Sequence, residues 1–213
     1  MGALAAEVGH ELQGPVNLLL SVALRAERKE PLDDEDAASL REELARLRRL
    51  SARLRELARV GGRKEPTSLK RLLELGCDAA GVDARDAAFA IEDGGADAQG
   101  LTCDRELLGL ALGELLQNAL EARRSRAGVR VVLGERAGFC VWDDGLGFTL
   151  AFEQALTWGV STRAGGAGLG LSLALRAARA HGLSLECRAE SGRTEVWLMI
   201  PHRELSPGAK ESA

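Results

Sequence analysis

The stretch Asp143-Asp144-Gly145-Leu146-Gly147 directly follows an apolar segment, Phe139 to Trp142, whose composition is typical of a β-strand. An aspartate at the end of a strand can accept a hydrogen bond from an exocyclic amine of a ligand. Glycines in the following loop allow positive φ and bring the backbone close to a flat ligand. Because an Asp-Gly pair is also a common turn signal, the motif indicates a binding loop only together with other motifs.

A polar helix face precedes this strand. Residues from Asp104 to about Arg123 are predicted to be helical, with Asp104 as the N-cap. Within this helix, Glu114, Asn118 and Glu121 follow one another at steps of four and three residues and therefore share one face. Two carboxylates and an amide can hold Mg²⁺, which prefers oxygen ligands, although an ordinary amphipathic helix has the same pattern.

A second glycine-rich stretch, Gly165-Gly166-Ala167-Gly168-Leu169-Gly170-Leu171, leads into a helix predicted from about Gly168 to Ala180. Backbone N–H groups of such a turn, at a helix N-terminus, form a nest for phosphate oxygens. Gly145-Leu146-Gly147 lacks the G-x-G-x-x-G spacing, and no Lys-Ser/Thr pair follows the later glycines. The sequence therefore excludes the Rossmann and P-loop motifs.

Two long helical patterns open the chain, from about Ala3 to Lys29 and from about Glu35 to Val60. Pro31 lies in the turn between them, and either Asp33 or Asp34 suits the N-cap of the second helix. An antiparallel hairpin that dimerises into a four-helix bundle is expected, because a lone hairpin leaves its apolar stripe uncovered; a coiled-coil linker is the alternative. The heptad-like seam of the second helix consists of Leu40, Leu44, Leu47, Leu50, Leu54 and Leu57.

The first helical pattern contains the stretch His10-Glu11-Leu12-Gln13-Gly14-Pro15. A proline inside a helix costs roughly 3 kcal/mol of helix stability. A residue that is unfavourable for its local structure often marks a functional site. His10 lies beside the apolar seam rather than within it, so its imidazole is expected to reach solvent. A surface histidine without a function is the simpler alternative.

Composition narrows the classes of function. The chain has 213 residues, with 28 Lys and Arg against 32 Asp and Glu and a net charge of −4; this balance argues against binding nucleic acid or an anionic membrane through bulk charge. Aromatic residues make up 3% of the chain and tyrosine is absent, so base-stacking surfaces are not expected. No signal peptide or membrane span is recognisable, and four scattered cysteines predict reduced thiols rather than a disulfide framework or a metal cluster. A cytoplasmic location is therefore expected.

The rest of the chain predicts an α+β sandwich that begins after a linker containing Gly61-Gly62 and Pro66. Helix is predicted from Ser68 to about Ala80, loop from Gly94 to Gly100, and a frayed polar tail after Pro201. The remaining predicted strands run from Ala87 to Ile91, Val129 to Leu133, Leu183 to Cys187 and Thr194 to Ile200.

Four motifs, in their order along the chain, resemble the sequence boxes of two-component sensor histidine kinases. The histidine hairpin is similar to the H box and the Asn118-bearing helix to the N box. D-x-G-x-G is similar to the G1 box, and G-x-G-L-G-L to the G2 box. The resemblance runs from about Leu4 to Pro201. It implies an α+β fold, with an N-terminal antiparallel helical hairpin forming a dimeric four-helix bundle. An α/β-sandwich ATPase domain of the gyrase, Hsp90 and histidine kinase type follows. The implied segments are a hairpin at residues 1–62, an ATP-binding domain at 63–205 and a polar tail at 206–213.

The resemblance also implies roles for individual residues. His10 matches the phospho-accepting histidine, and Glu11 matches the adjacent acid, whose carboxylate would hold the Nδ1 proton and leave Nε2 as the nucleophile. Asn118 matches the Mg²⁺ ligand of the family. Glu114 stands where related ATPases place a polar or acidic partner.

The remaining implied roles concern the nucleotide. Asp143 is similar to the adenine-reading aspartate, with Thr194 as a partner that shares a water with it. Phe152 and the stretch Ser161-Thr162-Arg163 resemble the mobile ATP lid, in which Arg163 would meet the terminal phosphate. The glycines that match the loops bordering nucleotide are Gly145, Gly147, Gly168 and Gly170.

The implied activity is autophosphorylation of His10 with Mg-ATP, followed by transfer to an aspartate on the receiver domain of a response regulator. The main alternative is a histidine phosphotransferase relay with a vestigial nucleotide-binding domain; a dimer that only scaffolds partners is another. Gly14 stands four residues after His10, where many bifunctional relatives carry Thr or Asn, so weak or absent phosphatase activity is expected. Only nine residues precede His10, so a catalytic core separated from its sensor is expected rather than a short protein controlled in trans.

Overall fold

The computed structural model describes residues 15–25, 27–28, 31, 33–41, 43–44, 47, 51, 62–82, 87–157, 169–190 and 192–207. The chain divides into two compact units, the larger of which comprises Val60–Thr157 and Leu169–Ala213. In the smaller unit, helix α1 covers residues 15–25, and helix α2 is helical at every described position between 34 and 51. The boundaries at residues 62 and 205 and the dimeric bundle remain predictions.

The turn between the two N-terminal helices is held by polar contacts. Asp33 caps α2, because its Oδ1 accepts a hydrogen bond from the Asp36 N–H at 2.8 Å. In return, the Asp33 N–H donates to Asp36 Oδ2 at 3.1 Å, so two donors at the helix start are satisfied reciprocally. The Arg25 guanidinium at the end of α1 donates to Asp36 Oδ1 at 2.6 Å and to the Pro31 carbonyl at 3.0 Å. These contacts tie the end of α1 to the start of α2.

The larger unit contains two sheets. Its strands are β1 (Glu65–Ser68), β2 (Phe89–Glu92), β3 (Gln99–Cys103), β4 (Ala127–Val132), β5 (Gly138–Asp143), β6 (Ser184–Glu190), β7 (Arg193–Met199) and β8 (Ser206–Pro207). One sheet has the strand order β1-β3-β8, and the other has the order β2-β4-β5-β7-β6. The pairing of β2 with β4 is parallel, and the other pairings of the larger sheet are antiparallel.

A layer of helices covers one face of the larger sheet. The layer consists of α3 (Leu69–Ala80), α4 (Arg105–Ala122) and α6 (Gly170–Ala180). The unit also contains the short helix α5 (Phe152–Ala155) and 3₁₀ turns at Ala96–Ala98 and His202–Glu204. Helix α4 packs against both α3 and α6, and its Leu112 and Leu116 share a core with Val129 of β4 and Val141 of β5. This unit is therefore an α/β sandwich, which confirms the predicted α+β class.

Helix α4 begins and packs as its sequence predicts. The Asp104 side chain accepts a hydrogen bond from the Leu107 N–H at 3.2 Å, which confirms Asp104 as the N-cap. Two glycines of this helix face α3 closely: a Cβ added to Gly109 would lie 2.7 Å from Leu75 Cβ, and one added to Gly113 would lie 2.7 Å from Ala79 Cβ. The absence of side chains at these positions lets the two helices pack closely, and this packing holds α4 in place.

Three predictions for the small sheet were wrong. The segment containing Pro66 is the edge strand β1 rather than a linker, and the predicted loop ending at Gly100 ends in β3. The predicted tail also joins the sheet, since Ser206 pairs with Gly100 and its Oγ donates to the Gly100 carbonyl at 3.3 Å. Proline is tolerated at a sheet edge, and such short strands depend on distant partners that local periodicity does not reveal.

The cysteines are free thiols, as predicted. Burial raises the pKa of each thiol to about 11. They therefore stay protonated near neutral pH and act as small apolar side chains. Among the described residues, no helix combines the length and the apolar character that crossing a bilayer requires. The cytoplasmic location stays a prediction.

His181 is buried at the C-terminal end of α6 and joins this helix to the start of α4. The Asp104 N–H can only donate, and it lies 2.9 Å from His181 Nε2, so Nε2 accepts. Nδ1 therefore carries the proton and donates to the Ala177 carbonyl at 2.7 Å. Burial lowers the pKa of the imidazole below its usual value of 6.5, and the fold requires the neutral ring.

The free energy of unfolding is expected to decrease on acidification because of His181. Its folded-state pKa lies below the unfolded-state value, so its stabilisation is complete above about pH 6.5 and is lost as the pH falls from there through the folded-state pKa. Urea unfolding at about pH 5.5 and about pH 7.5 measures this dependence. His181→Gln should be less stable at the higher pH and should lose part of the pH dependence, whereas the exposed His202→Gln should retain it. An equal pH dependence in wild type and His181→Gln would contradict the assignment.

Candidate functional site

Asp143 and Thr194 lie side by side on neighbouring strands. Asp143 ends β5 and pairs with Thr194 of β7 in the antiparallel register. Both are buried, at 7% and 4% exposure, and the Gly145 N–H donates to Asp143 Oδ1 at 2.8 Å. Asp143 stands two residues after the core residue Val141 and therefore projects on the side covered by helices. The sheet thus fixes a carboxylate and a hydroxyl together at the edge of the core.

The loop after β5 passes closely over the C-terminal end of α4. A Cβ added to Gly145 would lie only 2.2 Å from the Ala122 carbonyl oxygen and 2.7 Å from Asp143 Oδ1. Gly147 has φ of 78°, in the left-handed region that favours glycine, and its Cβ position lies 3.5 Å from Thr194 Oγ1. A side chain at Gly145 would overlap the Ala122 carbonyl and the Asp143 carboxylate, whereas at Gly147 the positive φ is what favours glycine.

A second cluster forms where α4 faces the first residue of α6. Glu114 and Asn118 lie one turn apart on α4; Glu114 is buried and Asn118 is half-buried. A Cβ added to Gly170 would lie 2.6 Å from Glu114 Oε2 and 3.6 Å from Asn118 Nδ2. Within the part of the chain that the structure describes, no side chain caps the N-terminus of α6. The positive end of this helix dipole therefore suits an anionic group beside Asn118.

The oxygen atoms of this second cluster suit a hard cation that is also coordinated by a bound anion. Over the described ranges, no three His, Cys, Asp or Glu side chains converge to hold a metal. Glu121, on the same helix face by sequence, is exposed and accepts a hydrogen bond from Gln117 Nε2 at 2.8 Å. Glu114 and Asn118 thus remain as protein oxygen ligands near α6, and Mg²⁺ commonly completes such a set with phosphate oxygens and water.

Helix α4 connects the two clusters, because the loop of the first cluster contacts the carbonyl of Ala122 and the second cluster stands on the preceding turns. The Phe152 ring, at the start of α5, lies 5.3 Å from the Phe148 ring in an edge-to-face arrangement. The predicted site residues that the structure places in the clusters are Asp143, Gly145, Gly147, Thr194, Glu114, Asn118 and Gly170. His10, Glu11, Thr162, Arg163 and Gly168 lie outside the described residues.

Asp144 is a residue to which the sequence analysis assigned no role. Its carboxylate binds the loop that follows α4 and accepts from the N–H groups of Arg124, Ser125 and Arg126. The only signal in the sequence is the doubling of aspartate before Gly145. That signal does not reveal the partner, because the partner loop lies about 20 residues upstream.

Comparison with known protein families finds one family model whose match spans both clusters. Residues 103–204 match the family described as "Histidine kinase-, DNA gyrase B-, and HSP90-like ATPase". This part of the chain is therefore similar to the ATPase domains that the family comprises. The matched residues of this chain include α4, β5, α6 and β7, the elements that carry the two clusters.

Curated relatives extend the similarity beyond this domain. The chain is 27% identical to the signal transduction histidine-protein kinase AtoS of Escherichia coli (strain K12), over 85% of this chain and 31% of that protein. It is 28% identical to the sensor histidine kinase ZraS of Klebsiella oxytoca, over 91% of this chain and 44% of that protein. The chain therefore spans less than half the length of these relatives, and its resemblance to the catalytic core of sensor histidine kinases is confirmed.

A solved structure shows the same fold over most of the chain. The Acinetobacter baumannii histidine kinase AdeS superposes on this chain with a TM-score of 0.65. The superposition includes 90% of this chain and 96% of the AdeS chain. The two sequences are 18% identical. At this identity the similarity establishes the fold alone.

Proposed function

We propose that this chain is the catalytic core of a two-component sensor histidine kinase, which phosphorylates its own His10 with Mg-ATP. The observation that carries the proposal is the junction of two clusters on α4. Asp143 and Thr194 provide a buried polar pair on one side, and Asn118 stands beside the N-terminus of α6 on the other. A nucleotide needs such a pair of unlike subsites, one for a flat base with polar edges and one for phosphates.

Asp143 reads the base in this proposal. Its carboxylate is held by the Gly145 N–H and buried beside Thr194, so it presents a fixed acceptor to the exocyclic amine of adenine. The absence of a side chain at Gly145 keeps this carboxylate in place, since an added Cβ would lie 2.7 Å from Asp143 Oδ1. Burial makes this recognition selective, because a ligand without a donor at that position displaces water from the carboxylate and supplies no hydrogen bond in return.

Asn118 and Glu114 act at the phosphate end. The amide oxygen of Asn118 is the proposed protein ligand of Mg²⁺, with Glu114 beside it, and the N-terminus of α6 faces the phosphates. When bound, Mg²⁺ neutralises phosphate charge and favours transfer of the terminal phosphoryl group. The proposed lid residues Thr162 and Arg163 and the loop residue Gly168 complete this end.

His10 is the proposed phosphoryl acceptor. Its Nε2 lone pair attacks the γ-phosphorus, an N–P bond forms, and the bond from phosphorus to the β–γ bridging oxygen breaks, so that ADP leaves with that oxygen. Glu11 holds the Nδ1 proton and compensates the positive charge of the phosphorylated ring. In a second transfer, a carboxylate oxygen of a response-regulator aspartate attacks the same phosphorus, the N–P bond breaks, and the neutral imidazole is restored.

The partner of the N-terminal helices is proposed to be a second copy of the chain. Helix α1 exposes a row of large apolar side chains, with Val16, Leu19, Leu20 and Leu24 each about half exposed. Positions 16, 20 and 24 recur every fourth residue and so form a stripe on one face. Burying this stripe against its counterpart gives the four-helix bundle, and sedimentation equilibrium should report twice the mass of the chain. The relay alternative is not favoured, because residues 103–204 match an ATPase family.

Incubation with ATP labelled in its terminal phosphate tests the proposal. The chain should acquire label that is stable in base and labile in acid, as a phosphoramidate is, and His10→Gln should acquire none. His202→Gln is the matched control, since His202 is exposed and lies at the other end of the chain. Label on His10→Gln, or acid-stable label on wild type, would contradict the assignment of His10.

A further inference from the structure

Asp144 has no part in the proposed chemistry, although its carboxylate collects an unusual number of donors. Its Oδ1 accepts from the N–H groups of Arg124 at 2.8 Å, Ser125 at 3.0 Å and Arg126 at 3.0 Å. Its Oδ2 accepts from the Ser125 N–H at 3.2 Å and from the Ser125 hydroxyl. The Asp144 N–H in turn donates to the Arg126 carbonyl at 3.1 Å. Three consecutive residues are thus bound by one side chain.

These bonds favour the ionised carboxylate. The hydroxyl and N–H of Ser125, with the N–H groups of Arg126 and Arg124, hold the pKa of Asp144 well below its usual range. Asp144 therefore stays charged through the pH range in which proteins work. Hydrogen bonds to an ionised acceptor are about twice as strong as neutral ones, so a half-exposed residue can still organise its surroundings.

The two segments that Asp144 joins each carry one cluster of the site. The bound loop follows directly from α4, whose C-cap residue Arg123 donates its N–H to the Ala119 carbonyl at 2.9 Å. Asn118 precedes that carbonyl by one residue. On the other side, Asp144 is covalently joined to Asp143 and Gly145. The close contact of the Gly145 backbone with Ala122 depends on the same approach of loop to helix.

We infer that Asp144 is a positioning residue that sets the separation between the Asn118-bearing helix and the Asp143–Gly147 loop. At this separation the loop can bind the base while the helix binds the phosphates of the same nucleotide. The inference rests on the proposed function. Its physical basis is that Asp144 is one residue from the base-reading carboxylate and binds the first three residues after the C-cap of α4. Loss of these bonds allows the two segments to separate, and a ligand that needs both must then restore the arrangement from its binding free energy.

Titration with a fluorescent ATP analogue and Mg²⁺ tests this inference. Asp144→Ala should bind the analogue about five- to ten-fold more weakly than wild type, in line with the loss of a capping side chain. Asp144→Asn keeps one acceptor oxygen for the backbone N–H groups but loses the charge and the second acceptor, so it should recover part of the affinity. Glu135→Ala is the matched control, because it removes a carboxylate from the opposite turn of the β4–β5 hairpin and should bind like wild type.

A second variant separates positioning from general stability. Ser68→Ala removes the N-cap bond to the Arg71 N–H at the start of α3, a helix that bears none of the site residues. It should lower the melting temperature while leaving the affinity for the analogue unchanged. Amide hydrogen exchange of Asp144→Ala should be faster than in wild type at residues 124–126 and also at 143–147.

The outcomes are distinguishable. A wild-type chain that binds no analogue overturns the proposed function and this inference with it. If wild type binds and Asp144→Ala binds equally well, this inference alone is overturned. The same holds if Ser68→Ala weakens binding as much as Asp144→Ala at an equal loss of melting temperature, or if Asp144→Asn fails to recover affinity.

Discussion

Asp143→Asn is expected to weaken ATP binding by about 10- to 100-fold while leaving the fold intact. Asparagine has nearly the same shape as aspartate and can still accept the Gly145 N–H, which lies 2.8 Å from Oδ1 in the wild type. Its NH₂ group, however, would stand where the wild type presents an acceptor. A donor facing the exocyclic amine of adenine leaves two buried donors opposed, at a cost of about 1–3 kcal/mol.

The same substitution should also change base preference. Guanine carries a carbonyl oxygen where adenine carries its amine, so an asparagine donor can pair with it. The ratio of ATP to GTP affinity, measured by competition against a fluorescent analogue, should therefore fall in Asp143→Asn. The exposed Asp78→Asn, on α3, is the control and should leave both affinities unchanged. Unaltered ATP affinity in Asp143→Asn would show that this carboxylate does not read the base.

Gly145→Ala is expected to lower both the free energy of unfolding and the affinity for nucleotide, and to do so more than Gly170→Ala. The new methyl group at Gly145 would lie 2.2 Å from the Ala122 carbonyl oxygen, and backbone atoms cannot move aside as a side chain can. Overpacking of this kind costs about 1–3 kcal/mol. The methyl group would also lie 2.7 Å from Asp143 Oδ1 and displace the carboxylate.

Gly170→Ala provides the contrast because its methyl group meets the end of a side chain. Glu114 Oε2, at 2.6 Å from the added Cβ, can shift by rotation, and alanine favours the helix that begins there. Urea unfolding should therefore show a small change for Gly170→Ala and a large one for Gly145→Ala, with similar slopes against denaturant. Equal losses in the two variants would mean that the loop after β5 can move away from α4.

Much of the site could be predicted from local sequence. The spacing of Glu114 and Asn118 determined that they share a face of α4, because 3.6 residues complete a helical turn. Asp104 was predictable as an N-cap from its position before an apolar-periodic run. Asp143 was predictable at a strand end because an apolar segment precedes it and glycines follow it. Each of these inferences depends on residues within a few positions of one another.

Other features depended on partners far away in the chain. Nothing near Pro66 or Ser206 indicates a strand, since each strand exists only through its pairing with β3. Likewise, His181 gave no sign in the sequence that its ring accepts the Asp104 N–H across 77 positions. Backbone groups at sheet edges and helix ends need partners, and local propensity does not say which partner is in reach.

The sequence by itself determined helices α3, α4 and α6, the cap of α4, the glycine loop after β5 and the order of motifs that resembles the sensor histidine kinases, because these follow from local backbone preferences and spacing. Only the tertiary structure decided that the loop of Gly145 lies against the Ala122 carbonyl, that Gly170 faces Glu114, and that Asp144 binds the loop after α4. Such contacts are set by how the helical layer packs on the sheet, which is a property of the whole core rather than of any segment.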